Sequence, residues 1–348
     1  MIAVWDIGAA WRIVRMARAA RPADDRWMRQ KGHDVKGYGP AEQLGAESSA
    51  GPATFLRLPR HSNLDGVDVA FVGLPFDPSL TGPAGARFGP QGIREASLAL
   101  RPHYNPSQRI QVFDRVSVVD FGDSPVRLGF LEQSLPMMEA TVANVLQGEA
   151  VPIVLGGERY VTLAGLRAAA ERHGALALVS FDAHGGLWEQ DGHSQPHATL
   201  VRRAVDEGLV DPQRSTLVGM RGGLRHAREY DEARETGFTV VPWEDLAQLG
   251  SGMLAAAADI AAGKAYLSFD MDFVDPAYAP GVLTLEVGGP SSAQALALLR
   301  ACRGLDVAAA DVVGVVPDRD SAGLTTALGA TIAYEILTLI ACERRTEA

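Results

Sequence analysis

An α/β protein built on a mainly parallel sheet, with helices on both faces, is the fold class that this sequence predicts. Three observations lead there. From Val67 onward, short β-rich runs alternate with Ala/Leu/Glu/Arg-rich segments at helical spacing. The runs are apolar along their length, as in strands buried on both sides. Charged and imidazole groups gather where several of these runs end, the edge at which open parallel sheets bind ligands.

Taken in order, residues 1–65 read as an N-terminal extension and residues 66–348 as the α/β domain. The extension opens with an Arg-studded amphipathic segment, Val4 to Ala20, followed by a polar, Gly/Pro-bearing stretch from Arg21 to Pro52. Its Trp5, Trp11 and Trp27 suggest a surface that docks on the body or on a neighbouring subunit; the alternative is a partly ordered tail. Strands are then expected at 67–74, 116–121, 151–155, 176–182, 215–220, 238–241, 265–270 and 307–316. Helices are expected at 129–147, 161–173, 198–208, 225–236, 251–262, 291–303 and 325–343. No internal repeat or low-complexity linker divides residues 66–345.

Bulk properties narrow the function. The chain has 348 residues, 47% hydrophobic and 21% charged, which fits a globular protein with a large core. A net charge of -10 argues against a nucleic-acid footprint. Cys302 and Cys342 are too few for a disulfide framework, so a reducing cytoplasm is expected. The N-terminal apolar run follows Asp6 and is broken by Arg12, Arg15 and Arg18, unlike a signal peptide. No stretch of 18 uninterrupted apolar residues suggests a transmembrane helix, and no membrane partner is expected.

The strand ends carry the chemistry. Asp270 and Asp272 close the run 265–270 two residues apart, and Asp182 and His184 repeat that spacing after 176–181. In an extended chain, residues i and i+2 point to the same side, so each pair can converge on one cation. Carboxylates that close an apolar strand are costly to bury unless something positive compensates them. A lone Asp-x-Asp is also an ordinary strand-to-loop turn; two such pairs on parallel strands are a stronger signal. Three carboxylates and one imidazole suit a borderline-hard ion such as Mn²⁺ better than a thiolate-seeking one.

Several ordered blocks then resemble the ureohydrolase (arginase/agmatinase) superfamily, nearest its agmatinase and guanidinobutyrase/guanidinopropionase branch. They are ATFLRLP (53–59), VGLPFD (72–77), GARFGPQGIREAS (85–97), LRPHYNP (100–106), LGGERYVTL (155–163), SFDAHGG (180–186) and SFDMDFVDPAYAPG (268–281). The similarity covers roughly residues 52–342. It implies a three-layer arginase-like fold with a central, mainly parallel eight-stranded sheet, assembled as a homo-oligomer, a trimer or hexamer. It also implies a small-molecule guanidino or amidino substrate, hydrolysed to urea and an amine by a hydroxide bridging two Mn²⁺ ions. Carried over by position, Asp182, His184, Asp270 and Asp272 match metal ligands, with Asp182 and Asp270 bridging. His197, in PHATL, matches a histidine that shuttles protons or orients substrate, and Asp270 is counted with it as catalytic.

Three family positions differ. The histidine of Gly-Gly-Asp-His is Arg159, the second aspartate of Asp-Ala-His-x-Asp is Gly186, and a late glutamate that contacts the guanidinium is Gly314. Arg159 has no lone pair for a metal, and its planar fork can bind Asp182 or Asp270 in place of one. The sequence therefore implies one Mn²⁺ ion per chain or none. Glu158, Glu189, Asp191 and His193 lie near the altered positions as compensating donors, or simply line a solvated loop. Trp188 is placed to fill part of the pocket or stack on a cation. Arg87 and Arg94 are assigned to loop and helix-end structure. The expected function is a divergent metal-dependent hydrolase of a C–N bond; the alternative is an inactive homologue serving as a structural or regulatory subunit beside a paralogue.

Overall fold

A computed structural model of the chain describes residues 38–40, 52–77, 85–188, 196–249, 261 and 263–344. The segment Val4–Ala20, the tryptophans Trp5, Trp11 and Trp27, residues Glu189, Asp191 and His193, and most of the helix expected over 251–262 lie outside the described residues.

Strand β1 (Val69–Leu74) explains why its run is apolar throughout. Val69 and Phe71 enter one core, while Ala70, Val72 and Leu74 enter another on the opposite side, and all are fully buried. Strand side chains alternate between faces, so a sheet covered twice needs apolar residues at every position. Apolar residues alternate between the same two cores along β5 (Val151–Gly156), and over most of β4 (Val118–Asp123), β6 (Ala177–Phe181), β9 (Lys264–Asp270) and β10 (Asp306–Val313), which also carry the buried polar residues Asp120, Ser180, Ser268 and Asp311. With β7 (Thr216–Val218) and β8 (Thr239–Val241) they form an eight-stranded sheet in the order β4-β1-β5-β10-β9-β6-β7-β8. Every pairing in it is parallel. A separate two-stranded hairpin joins β2 (Tyr104–Asn105) and β3 (Ile110–Gln111).

One face of the sheet is covered by α1 (Gly89–Ser97), α7 (Ser292–Ala301) and α8 (Leu324–Glu343). The other is covered by α2 (Leu131–Gln147), α3 (Thr162–His173), α4 (Leu200–Asp206) and α5 (Glu229–Thr236). A further helix, α6 (Trp243–Leu249), returns Leu246 to the first core. The result is the three-layer arrangement expected. Helix α8 is long and apolar enough to cross a membrane, but 83% of its apolar window is buried inside the fold. A helix apolar on all sides is what a central core position requires.

Residues 52–65 pack on this domain. Phe55, Leu56 and Leu58 lie in the core, and the Phe55 N–H donates to Asp120 Oδ2 at 2.8 Å. Arg94, on α1, forks both oxygens of Asp120 and reaches Asp123 at 2.5 Å, while Arg87 pairs with Asp77 at 3.0 Å. Both arginines thus brace the turns around them. Burial alone would lower the Arg94 pKa, but Asp120 and Asp123 hold it above its ordinary value.

Candidate active site

The site forms at the carboxyl ends of β5, β10, β9, β6 and β7. Asp270 is the last residue of β9, and its Oδ1 accepts the N–H of Asp272 at 2.9 Å. Asp182 follows β6 directly, and its Oδ1 accepts the N–H of His184 at 2.7 Å. Each pair is therefore an Asx turn, in which an aspartate captures the backbone two residues on. This differs from the extended-chain expectation: Met271–Phe273 winds into a 3₁₀ turn instead of continuing the strand. The turns still bring the four side chains together. His184 Nδ1 lies 3.3 Å from Asp182 Oδ1 and 3.9 Å from Asp272 Oδ2.

Arg159 opens the 3₁₀ turn after β5 and is buried among these carboxylates. Its Nη1 lies 2.6 Å from Asp182 Oδ2 and 3.8 Å from Asp270 Oδ2. The first contact is a close charge pair whose angle departs from that of a hydrogen bond. Nη2 donates to Ser180 Oγ at 3.1 Å. Desolvation would lower the Arg159 pKa, yet Asp182 and then Asp270 keep it above the ordinary value, so the guanidinium stays charged. Asp311, fully buried on β10, accepts from Tyr266 and Ser268 at 2.9 and 2.7 Å and adds its field to Arg159.

The carboxylates crowd one another. Burial first, and then the charge of Asp182, lifts Asp270 to about 7 despite Arg159. Burial, Asp270 and Asp182 likewise raise Asp272 well above the usual carboxylate range. Burial opposes the protonation of His184, but Asp182, Asp272 and Glu286 outweigh it and raise its pKa to about 9. Glu286 meets His184 Nε2 at 3.2 Å. Asp272 Oδ1 is buried without a hydrogen-bond partner among the described residues. The set is short of positive charge, and its donors suit one divalent ion: Asp182, His184, Asp270 and Asp272 supply oxygens and one imidazole nitrogen. The Arg159 guanidinium reaches toward both Asp182 and Asp270, the two carboxylates to which the resemblance assigns bridging roles. As they stand, no three or more of these donors form a coordinating group among the described residues.

The other two altered positions are shaped around glycine. Gly314 lies at φ +83°, and a Cβ there would sit 2.4 Å from Asp270 Oδ1. Gly186 lies at φ +64° and accepts the N–H groups of Val201 and Arg202. His197 sits in the 3₁₀ turn Pro196–Thr199, with Nδ1 3.2 Å from Glu158 Oε1. Glu158 is buried, and neither of its oxygens has a hydrogen-bond partner among the described residues.

Arg159, His184, His197, Asp270, Asp272 and the two glycines line a cavity of about 260 Å³ together with Trp188, Met220, Leu224, Glu229, Leu283 and Glu286. Trp188 Nε1 donates to Glu229 Oε1 at 3.1 Å, and the Arg225 guanidinium lies 4.1 Å above the indole ring. Arg221 donates to the carbonyls of Phe273, Asp272 and Glu286, which ties the two acidic wall segments together. Sequence reasoning passed over Glu229, Glu286, Ser180 and Arg221. Ser180 lies two residues before Asp182 inside the SFDAHGG block, but a serine in a strand carries no signal by itself. Glu229, Glu286 and Arg221 come from segments with no recognisable spacing to the Asp pairs, and only folding brings them near.

Comparison with known proteins places this geometry. Residues 67–338 match the arginase family. A guanidinopropionase of Pseudomonas aeruginosa is 40% identical over 296 residues, spanning 84% of this chain and 92% of that protein. A mitochondrial agmatinase of Gallus gallus is 39% identical over 293 residues, spanning 83% and 86%. Among solved structures, the proclavaminate amidino hydrolase of Streptomyces clavuligerus superposes with a TM-score of 0.79 at 34% identity, covering 85% of this chain and 99% of that one.

Proposed function

Because the chain belongs to the arginase family, we propose that it hydrolyses a C–N bond of a guanidino or amidino compound with one divalent ion at most. The observation that carries the second half of this reading is the placement of Arg159, 2.6 Å from Asp182 and 3.8 Å from Asp270. The first half rests on relatives that are named for hydrolysis of guanidino compounds.

In this reading Asp182, His184, Asp270 and Asp272 hold the ion, for which Mn²⁺ suits the donors. Such an ion, when bound, lowers the pKa of water and fixes its direction of attack. The chain's own groups do the rest. Arg159 supplies fixed positive charge beside Asp182, in a buried setting where such charge acts strongly. His197 turns Nδ1 toward Glu158, which leaves Nε2 as the ring nitrogen available to carry a proton between cavity and leaving amine. Met220, Leu224 and Leu283 keep part of the wall apolar and limit water. A homo-oligomer and a cytoplasmic setting complete the proposal; the thiols Cys302 and Cys342 are both free, which supports a reducing compartment.

Two measurements test it. Protein purified in excess Mn²⁺ is expected to carry one ion or fewer per chain by plasma mass spectrometry; two ions would overturn the role given to Arg159. Arg159→His with Gly186→Asp is expected to raise that content toward two, and aspartate is among the residues that tolerate the positive φ at 186. Urea release from agmatine, guanidinobutyrate, guanidinopropionate and arginine checks the reaction itself. Release from none of them would sink the hydrolase reading for these compounds.

A further inference from the structure

Glu158 is only 2% exposed, and neither of its oxygens meets a hydrogen-bond donor among the described residues. Its backbone fixes its place. The Gly157 N–H donates to Leu74 O and the Glu158 N–H to Phe76 O, each at 2.9 Å, while Gly157 O accepts the Gly314 N–H at 3.0 Å. A Cβ on Gly157 would lie 2.0 Å from Phe76 O, so only glycine lets the chain pass this close to the end of β1. Glu158 therefore leaves β5 held between the ends of β1 and β10, with its carboxylate inside the protein.

A buried carboxylate with no hydrogen bond destabilises the fold, so its retention calls for a role other than stability. That role stands 3.2 Å away. Glu158 Oε1 faces Nδ1 of His197, whose side chain is 37% exposed and lines the cavity. The turn that carries the ring is itself tied down. The Trp188 N–H donates to Ala198 O at 3.0 Å, and Gly186 O accepts the N–H groups of Val201 and Arg202. A fixed, dry carboxylate thus meets a half-open imidazole. Neither belongs to the ligand set of Asp182, His184, Asp270 and Asp272, and Glu158 does not line the cavity. Arg159, next in the chain, turns to Asp182 and Ser180. Glu158 is then neither a substitute ligand nor part of a solvated loop.

We propose that Glu158 is a positioning residue for His197, holding the imidazole with its proton on Nδ1 and the Nε2 lone pair turned to the cavity. A carboxylate against one ring nitrogen fixes the tautomer and makes the other nitrogen a better base. Nε2 then takes the proton that the attacking water releases and gives it to the leaving amine. The Nδ1 proton stays between the ring and Glu158 throughout. This deepens the hydrolase reading and rests on it for the reaction, but the tautomer belongs to the resting protein and is measured without turnover.

The experiment is nitrogen-15 NMR of the full-length protein labelled at its histidines, at a pH where the ring is neutral. Mg²⁺ replaces Mn²⁺, which would broaden the signals, and loss of signals in His197→Gln assigns those of His197. The wild type is expected to show a proton on Nδ1 and a bare Nε2. A proton on Nε2 instead, which needs no variant to detect, would overturn the proposal. Glu158→Leu replaces an unmet charge by an apolar side chain and is expected to lose the Nδ1 preference. The wild-type tautomer in that variant, folded by circular dichroism, would also overturn it. With a compound that gives urea, Glu158→Gln is expected to lower kcat about 10- to 100-fold and to leave KM within about twofold. Added to His197→Ala it should bring no further loss, because a positioning residue acts only through its partner. Losses that multiply would overturn the proposal. An Nδ1 tautomer that depends on Glu158, with no urea from any compound tested, would uphold the pairing and overturn the hydrolase reading alone.

Discussion

Gly314 shows how far a single residue can commit a site. Its φ of +83° and the 2.4 Å gap from an added Cβ to Asp270 Oδ1 leave no room for a side chain. A glutamate at this position would displace the same carboxylate that accepts the Asp272 N–H. Gly314→Ala is therefore expected to cost about 1–3 kcal/mol from backbone strain and collision. In a thermal melt this reads as a drop of roughly 2–10 °C. An unchanged melting temperature would mean that Asp270 has another place to go. At this scale the sequence was readable where a residue broke a motif. Arg159 stands where a lone-pair donor is expected, and its chemistry pointed to Asp182 and Asp270, the partners it has. Glu229 and Glu286 were not readable. An acidic residue at a helix start or in a loop is ordinary by itself, and its meaning comes only from what folds beside it.

Among the elements, helix α7 shows how local chemistry sets a boundary. Ser291 caps it by accepting the Gln294 N–H, and Gln294 returns a bond to the Ser291 backbone, a full capping box. The helix expected at 291–303 begins at Ser292 for that reason. Ser291→Ala should cost about 1 kcal/mol and Ser291→Asp much less, compared by chemical denaturation; equal losses in the two variants would assign the effect to something other than the cap. Elements without such signals were missed. The β2–β3 hairpin has two residues per strand, too few to show a period. Helix α1 carries Pro90 and Gly92, residues that usually argue against a helix; Pro90 is tolerated because it lies in the first turn.

The whole molecule is ordered by its sheet. The strand runs could be read from the sequence, but their order could not, because an apolar run buried on both faces does not identify its neighbours. The last two strands, β9 and β10, occupy the middle, with β5 on one side and β6 on the other. Stability should follow that position. In hydrogen exchange measured by mass spectrometry, peptides from β9 and β10 are expected to exchange most slowly, and those from the edge strands β4 and β8 faster. Slower exchange at either edge would show that the sheet does not unfold as the topology suggests.

That late placement bears on how the protein is made. While residues up to about 260 emerge from a ribosome, the chain can pair β4-β1-β5 and β6-β7-β8 but cannot join them. Each half then carries a bare inner edge, β5 or β6, of a kind that invites pairing with the wrong strand. Asp270, Asp272 and Gly314 arrive with the strands that close the gap. A nascent or truncated chain therefore holds Asp182, His184 and Arg159 without their partners, and synthesis, closure of the sheet and assembly of the site become one late event.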